Sequence, residues 1–299
     1  MNTNKPSSQA FTYFAAIIAM ILWASAFPAT RYVLQYYSPA TIMLLRFTAA
    51  SITLIIIGII RKIRLPNKKD LPLATLSGLS GVFLYSLLFT TGSVTVIAGI
   101  SSFIISTAPL FTLILSRIIL KEKLKLICWV GVGVSFIGLA GVTLSQITEF
   151  TFNLGVLLLI CAAISSAVYT IVIRRLTTKT TTAYNALEVT TYTIVIGTIG
   201  MLIFIPYAIR EIPESNVTVN LLVLLMGILP SAIAYLSWSY ALAKAEKVAH
   251  ITVFTYLIPF ISALIAYFWL DETMSIYALI GGIVIIIGML MTNLKRDKI

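Results

Sequence analysis

The sequence predicts an all-α integral membrane protein of ten transmembrane helices, built as two inverted five-helix repeats. Three observations predict it. First, 59% of the 299 residues are hydrophobic and only 10% are charged, whereas soluble domains carry roughly 25% charged residues. Second, the apolar runs are long and unbroken, which suits helices and not the alternating segments of a membrane barrel. Third, residues 85–144 align without a gap on residues 235–294. Tyr85 meets Tyr235, Pro109 meets Pro259, and Leu120 and Glu122 meet Leu270 and Glu272. Gly131 and Gly138 meet Gly281 and Gly288.

At roughly 20 residues per span, the apolar stretches place helices near 11–32, 39–60, 71–90, 95–117, 124–145, 153–173, 183–208, 218–240, 247–269 and 275–294. The first run follows only Lys5 and lacks a small-residue cleavage site, so it reads as an uncleaved helix. Residues 71–116 carry no charge but are too many for one span, and the polar stretch Thr90, Thr91, Gly92, Ser93 is where a turn is expected.

Loop charge orients the helices. Most of the 21 lysines and arginines fall in alternate loops: Arg61 to Lys69, Arg117 to Lys125, Arg174 to Lys179, Lys244 with Lys247, and the tail after Leu294. The opposite loops hold Glu149, Glu211, Glu214, Asp271 and Glu272, with Arg31 and Arg210. Short basic loops stay in the cytoplasm, which puts both termini there and the protein in the cell membrane. The halves are then 1–149 and 150–299. Five helices each force opposite insertion, the arrangement of many secondary transporters. The net charge of +11 is thus topological, and no nucleic-acid partner is expected. Cys128 and Cys161 are isolated in apolar runs and suggest neither disulfide nor metal site. No cofactor is expected. An intramembrane enzyme is disfavoured: the chain has one histidine, no nucleophile–base set and no metal-ligand cluster.

Further residues add a resemblance. Leu22-Trp23-Ala24-Ser25-Ala26-Phe27 lies in the first helix, Ser38-Pro39 opens the second, and Arg46-Phe47 follows within it. Each copy then has a proline (Pro109, Pro259), a glutamate after it (Glu122, Glu272) and glycines near 131–138 or 281–288. In these features the chain resembles the EamA-domain family of the drug/metabolite transporter superfamily, over nearly its whole length. The resemblance implies a 5+5 inverted-repeat fold with a central cavity lined by helices 1, 3, 4, 6, 8 and 9. It also implies a secondary transporter, with export of amino acids or related compounds expected and import of a quaternary ammonium or other small metabolite the alternative. No tryptophan in the second half matches Trp23, and no Arg-Phe matches Arg46-Phe47.

A charge mid-bilayer costs about 2.5–3.5 kcal/mol even on the lenient insertion scale, so such residues are functional or paired. Arg46 lies roughly 10 Å in from one end of its helix and Glu188 roughly 9 Å in from the other end of its own, at 1.5 Å per residue. A direct pair needs tilt and a fully extended arginine. Arg46 is a candidate for binding a carboxylate or for gating, against a structural role. Glu188 and the lone His250 are candidates for coupling transport to protons, against helix-end roles. The cavity candidates beside Arg46 are Trp23, Tyr85, Ser102, Tyr169, Tyr235, Trp238 and Tyr256, set against belt or packing roles. Pro28, Pro109, Pro230 and Pro259 each remove a helix bond, and Pro28, Pro109 and Pro259 are hinge candidates. Glu122 and Glu272 are expected to cap the helix that follows each. A small-molecule substrate and membrane lipid are the expected partners.

Overall fold

A computed structural model describes residues 6–96, 98–144, 153–178, 183–269 and 276–293. These residues are helical apart from short connections. The rods are α1 (Pro6–Val33), α2 (Pro39–Ile60), α3 (Leu71–Thr95), α4 (Ala98–Ile105 and Ala108–Ile119), α5 (Leu126–Leu144) and α6 (Leu154–Thr178). They continue as α7 (Ala186–Glu211), α8 (Val217–Lys244), α9 (Ala249–Thr252, Val253–Tyr256 and Leu257–Trp269) and α10 (Ile276–Asn293). Rods α1, α2, α3, α6, α7 and α8 are long and apolar enough to cross a membrane, and the others are shorter apolar helices.

Helices α2 and α7 start on recognisable caps. Ser38 accepts the Thr41 amide and Pro39 opens α2, where a missing N–H costs nothing. Asn185 and Glu188 form a reciprocal capping box at the start of α7.

Thr90 to Ser93 do not form the expected turn. Helix α3 runs through them to Thr95 and ends at Val96, whose backbone is extended. Gly92 serves contact rather than turning: a Cβ there would sit 2.9 Å from the Gly155 carbonyl of α6. Glycine is common in membrane helices for this reason.

Helices α2 and α7 pair in antiparallel fashion, as do α5 and α10. Along α2 and α7, the Ser38 amide donates to Glu211 Oε2 (2.8 Å), Ser51 Oγ meets Thr198 Oγ1 (2.8 Å), and Arg64, just past α2, meets Glu188. Helices α5 and α10 cross on their small residues. A Cβ on Gly131 would lie 2.7 Å from the Gly288 carbonyl, and one on Gly138 would lie 2.7 Å from that of Gly281. Ser135 Oγ donates to Ile285 O at 3.1 Å between them. The contact therefore joins each glycine to the repeat equivalent of the other.

Irregular backbone recurs at matching places. Helix α3 contains a π-helical turn at Leu79–Leu84, and α8 contains one at Gly227–Ile233. Helix α4 breaks between Ile105 and Ala108, just before Pro109. Helix α9 tightens to a 3-10 turn over Val253–Tyr256, just before Pro259. Each proline ring clashes with the carbonyl four residues back, Ile105 or Thr255, and withholds its donor. The backbone of α1 stays α-helical through Pro28.

The two ends of the bundle are tied alike. At the end that holds Ser38, the Tyr37 hydroxyl donates to Asn220 Oδ1. At the opposite end, the Tyr184 hydroxyl donates to Asp70 Oδ2 (2.8 Å) and accepts from the Asn67 amide (2.9 Å). Burial raises the Tyr184 phenol above its ordinary range.

Candidate functional site

The π turns set up the middle of the protein. Pro230 has no N–H to give Met226 O, and Ser231 Oγ donates to that carbonyl at 3.0 Å instead. In α3, Ser80 Oγ donates to Leu76 O, the matching carbonyl, at 2.6 Å. Each turn also offers a carbonyl to a neighbouring helix. Trp23 Nε1 of α1 donates to Pro230 O at 3.0 Å, and Ser165 Oγ of α6 donates to Ser80 O at 2.8 Å. Wide turns of this kind release carbonyls that then need donors.

Tyr235, two residues after the second π turn, is the hub of an aromatic cluster. Its ring meets Trp23 edge-on (5.5 Å between centroids), Phe47 edge-on (6.1 Å) and Tyr169 (5.9 Å). Trp23 also meets Trp238 at 5.4 Å. The Tyr235 hydroxyl donates to Gly81 O of the first π turn at 3.2 Å. Such edge contacts favour a fixed arrangement.

Arg46 reaches into this cluster from α2. Its Nη2 donates to Ser231 Oγ at 3.1 Å, its guanidinium lies 5.9 Å from the Phe47 ring, and its buried Nε finds no acceptor. Tyr85 and Tyr235 are within its electrostatic reach. Arg46 and Tyr85 stay partly exposed, so open space adjoins them. Trp23 is partly exposed as well. Toward the opposite end from Ser38, Tyr169, Trp238, Ser239, Leu242, Thr252 and Tyr256 are all buried. The Tyr169 and Ser239 hydroxyls lie close but outside hydrogen-bonding geometry.

Trp23, Arg46, Tyr85, Tyr169, Tyr235 and Trp238 are thus brought together. Tyr256 packs instead against Phe136 (6.3 Å), and its buried hydroxyl has no partner. The side chains of Ser102 and Pro28 lie outside the described ones. His250 is half-buried on the short first piece of α9, where its carbonyl accepts from Asn293.

Glu188 pairs not with Arg46 but with Arg64, from the loop after α2. Arg64 Nε and Nη2 bind its two oxygens at 2.7 and 2.8 Å, while the amides of Arg64 and Asn185 add 3.1 and 2.8 Å bonds. This bidentate pair raises the Arg64 guanidinium further above its ordinary value. The vertical distance from Arg46 disfavoured their pairing, but the fold-back of residues 61–70 was not visible in the pattern. The Glu122 carboxylate accepts the Val248 amide (3.1 and 3.3 Å) ahead of α9, a contact across the sequence that the repeat pattern did not suggest. Glu272 lies outside the described residues. Ser231, Ser80 and Ser165 escaped the sequence reading, where Pro230 was the only signal.

Comparisons with known proteins show the family and the fold. The model of the EamA-like transporter family matches residues 10–144 and 153–294. The chain is 32% identical over 278 residues to an uncharacterized transporter, YdfC, of Bacillus subtilis, covering 93% of this chain and 89% of that protein. It is 31% identical over 282 residues to a probable terminal-alkyne amino-acid exporter of Streptantibioticus cattleyicolor, covering 94% and 92%. A crystal structure superposes with a TM-score of 0.79 at 20% identity over 94% of this chain and 95% of that one, which shows a shared fold. The chain is a multi-pass membrane protein and belongs to the EamA-like transporter family.

Proposed function

We propose that the chain crosses the cell membrane ten times as two inverted halves, 1–149 and 150–299, with both termini cytoplasmic, and carries a small metabolite by alternating access. Amino acids or related compounds, moved outward, are the proposed substrates. The observation that carries this reading is Arg46, a guanidinium held among aromatic rings between two π-turned helices. Charges at such depth in a membrane bundle mark substrate or ion pathways, and carriers of this design bind near the repeat interface. The matching irregularities in α3 and α8, and in α4 and α9, support hinge roles for Pro109 and Pro259. The partial exposure of Trp23, Arg46 and Tyr85 above a buried lower half supports a state open toward the Ser38 end. Similarity to an amino-acid exporter supports the substrate class. A proton-coupling role draws less support from Glu188, whose carboxylate is engaged by Arg64 and the helix cap, than from a site still open to solvent.

Purified protein in proteoliposomes preloaded with unlabelled amino acids should take up the labelled forms by counterflow. Absence of exchange for any amino acid or related metabolite overturns the reading.

A further inference from the structure

Arg46 is a cation that the protein leaves unanswered. Nη2 donates to a neutral serine, and Nε has no acceptor. The other groups in electrostatic reach are the phenols of Tyr85 and Tyr235. The carboxylates of Asp70, Glu122, Glu188 and Glu211 are engaged elsewhere, by Tyr184, Val248, Arg64 and Ser38. No carboxylate contacts Arg46 among the described residues. An embedded charge without a counter-charge is costly, and removing it often stabilises a protein.

The second half shows what the same place looks like without that cost. Arg46 stands eight residues past the cap Ser38, and Thr193 stands eight past the cap Asn185. Thr193 shares a 2.7 Å hydrogen bond with Ser77 and is fully buried. At this position the first half holds a guanidinium with donors to spare and the second half a satisfied hydroxyl. Close by, the Tyr85 hydroxyl binds no described residue, while Trp23 has already given its N–H to Pro230. The planar guanidinium edge and a phenol hydroxyl together suit a two-oxygen anion.

We propose that Arg46 and the Tyr85 hydroxyl form a carboxylate subsite for the transported solute, so that the carrier accepts acids and amino acids and refuses their decarboxylated amines. The proposal rests on the transport reading above and names the chemistry its site selects.

The test compares melting temperatures of the full chain in detergent and chloride-free buffer. Without solute, Arg46→Met should melt as high as the wild type or higher. A clear fall marks Arg46 as a structural residue and overturns the proposal. The wild type is then titrated with the protein amino acids, their decarboxylated amines, 3-phenylpropionate and chloride. The expected result is an upward shift with one or more acids, its loss in the matching amine, and its loss in Arg46→Met. Arg46→Lys should weaken the response by about tenfold or more, since a point charge lacks the paired edge. An amine that stabilises as well as its parent acid overturns the proposal, as does a response to chloride alone or to no acid. Counterflow of the same solutes tells whether transport itself has failed.

Discussion

The π turn at 79–84 and its counterpart at 227–233 share a backbone but not a set of donors. In both, a serine hydroxyl donates to the carbonyl of Leu76 or Met226. In both, a residue from α6 or α1 clamps the carbonyl of residue 80 or 230. The clamp in the first turn is a small hydroxyl, Ser165. In the second it is the indole of Trp23, which also packs on Tyr235 and Trp238. The backbone needs only a donor at each place, so the donor's size is free to serve another purpose. Symmetry thus resides in the helix path and hydrogen bonds, while the wall around Arg46 is one-sided.

The largest effects should come from breaking the symmetric scaffold. A Cβ on Gly288 would lie 2.4 Å from the Ser135 amide nitrogen and 2.5 Å from the Gly131 carbonyl, backbone that cannot move aside cheaply. Gly288→Leu should abolish monodisperse protein on size-exclusion chromatography, and Gly138→Leu should do the same. Gly133, with nothing within 4 Å of a built Cβ, provides the control. Gly133→Ala should elute and melt like the wild type.

Next come the ties at the two ends. Glu188→Gln strips the bidentate bonds to Arg64, whereas Glu211→Gln weakens the Ser38 amide contact. Glu188→Gln should lower the melting temperature more. Equal drops would mean that the guanidinium pair adds nothing beyond the helix cap, as exposed pairs often do not. Removing one phenol hydroxyl, Tyr37→Phe or Tyr184→Phe, should cost about 1–3 kcal/mol at either end, since each hydroxyl makes two hydrogen bonds. Matched losses in denaturation midpoint would support equivalent ties.

Smaller still are the clamps. Trp23→Phe and Ser165→Ala each delete one donor, worth about 1 kcal/mol by the same rule. In counterflow, Trp23→Phe should raise KM severalfold, while Ser165→Ala should leave KM unchanged. Equal changes in KM would remove the distinction drawn between the two turns. Pro259→Ala and Pro109→Ala should alter stability least, by less than about 1 kcal/mol, because the regained helix bond offsets lost chain stiffness. Their effect should fall on the transport rate.

Much of the scaffold was legible because repetition marks it. Gly131, Gly138, Gly281 and Gly288 recur at one offset, and a small-residue stripe has one strong physical use in a membrane helix. Pro109 and Pro259 recur likewise and sit just after breaks. The π turns were not legible, since widening one turn leaves an apolar run apolar, and only Pro230 hints at it. Gly92 misled because glycine serves turns and close contacts equally. Arg46 stood out because a charge in an apolar run is expensive. The partner of Glu188 did not, because residues 61–70 return to α7 by a path that periodicity does not encode.

Access to the site from two sides is the central claim, and single cysteines can read it. With Cys128 and Cys161 replaced by alanine, Tyr85→Cys and Ser239→Cys would be labelled by an impermeant maleimide in vesicles of each orientation. Tyr85→Cys should label from the Ser38 side in resting protein and Ser239→Cys should not, because Tyr85 is partly exposed and Ser239 fully buried. A solute active in counterflow should slow the first and expose the second from the opposite side. Labelling of both positions from one side, unchanged by that solute, would contradict alternating access.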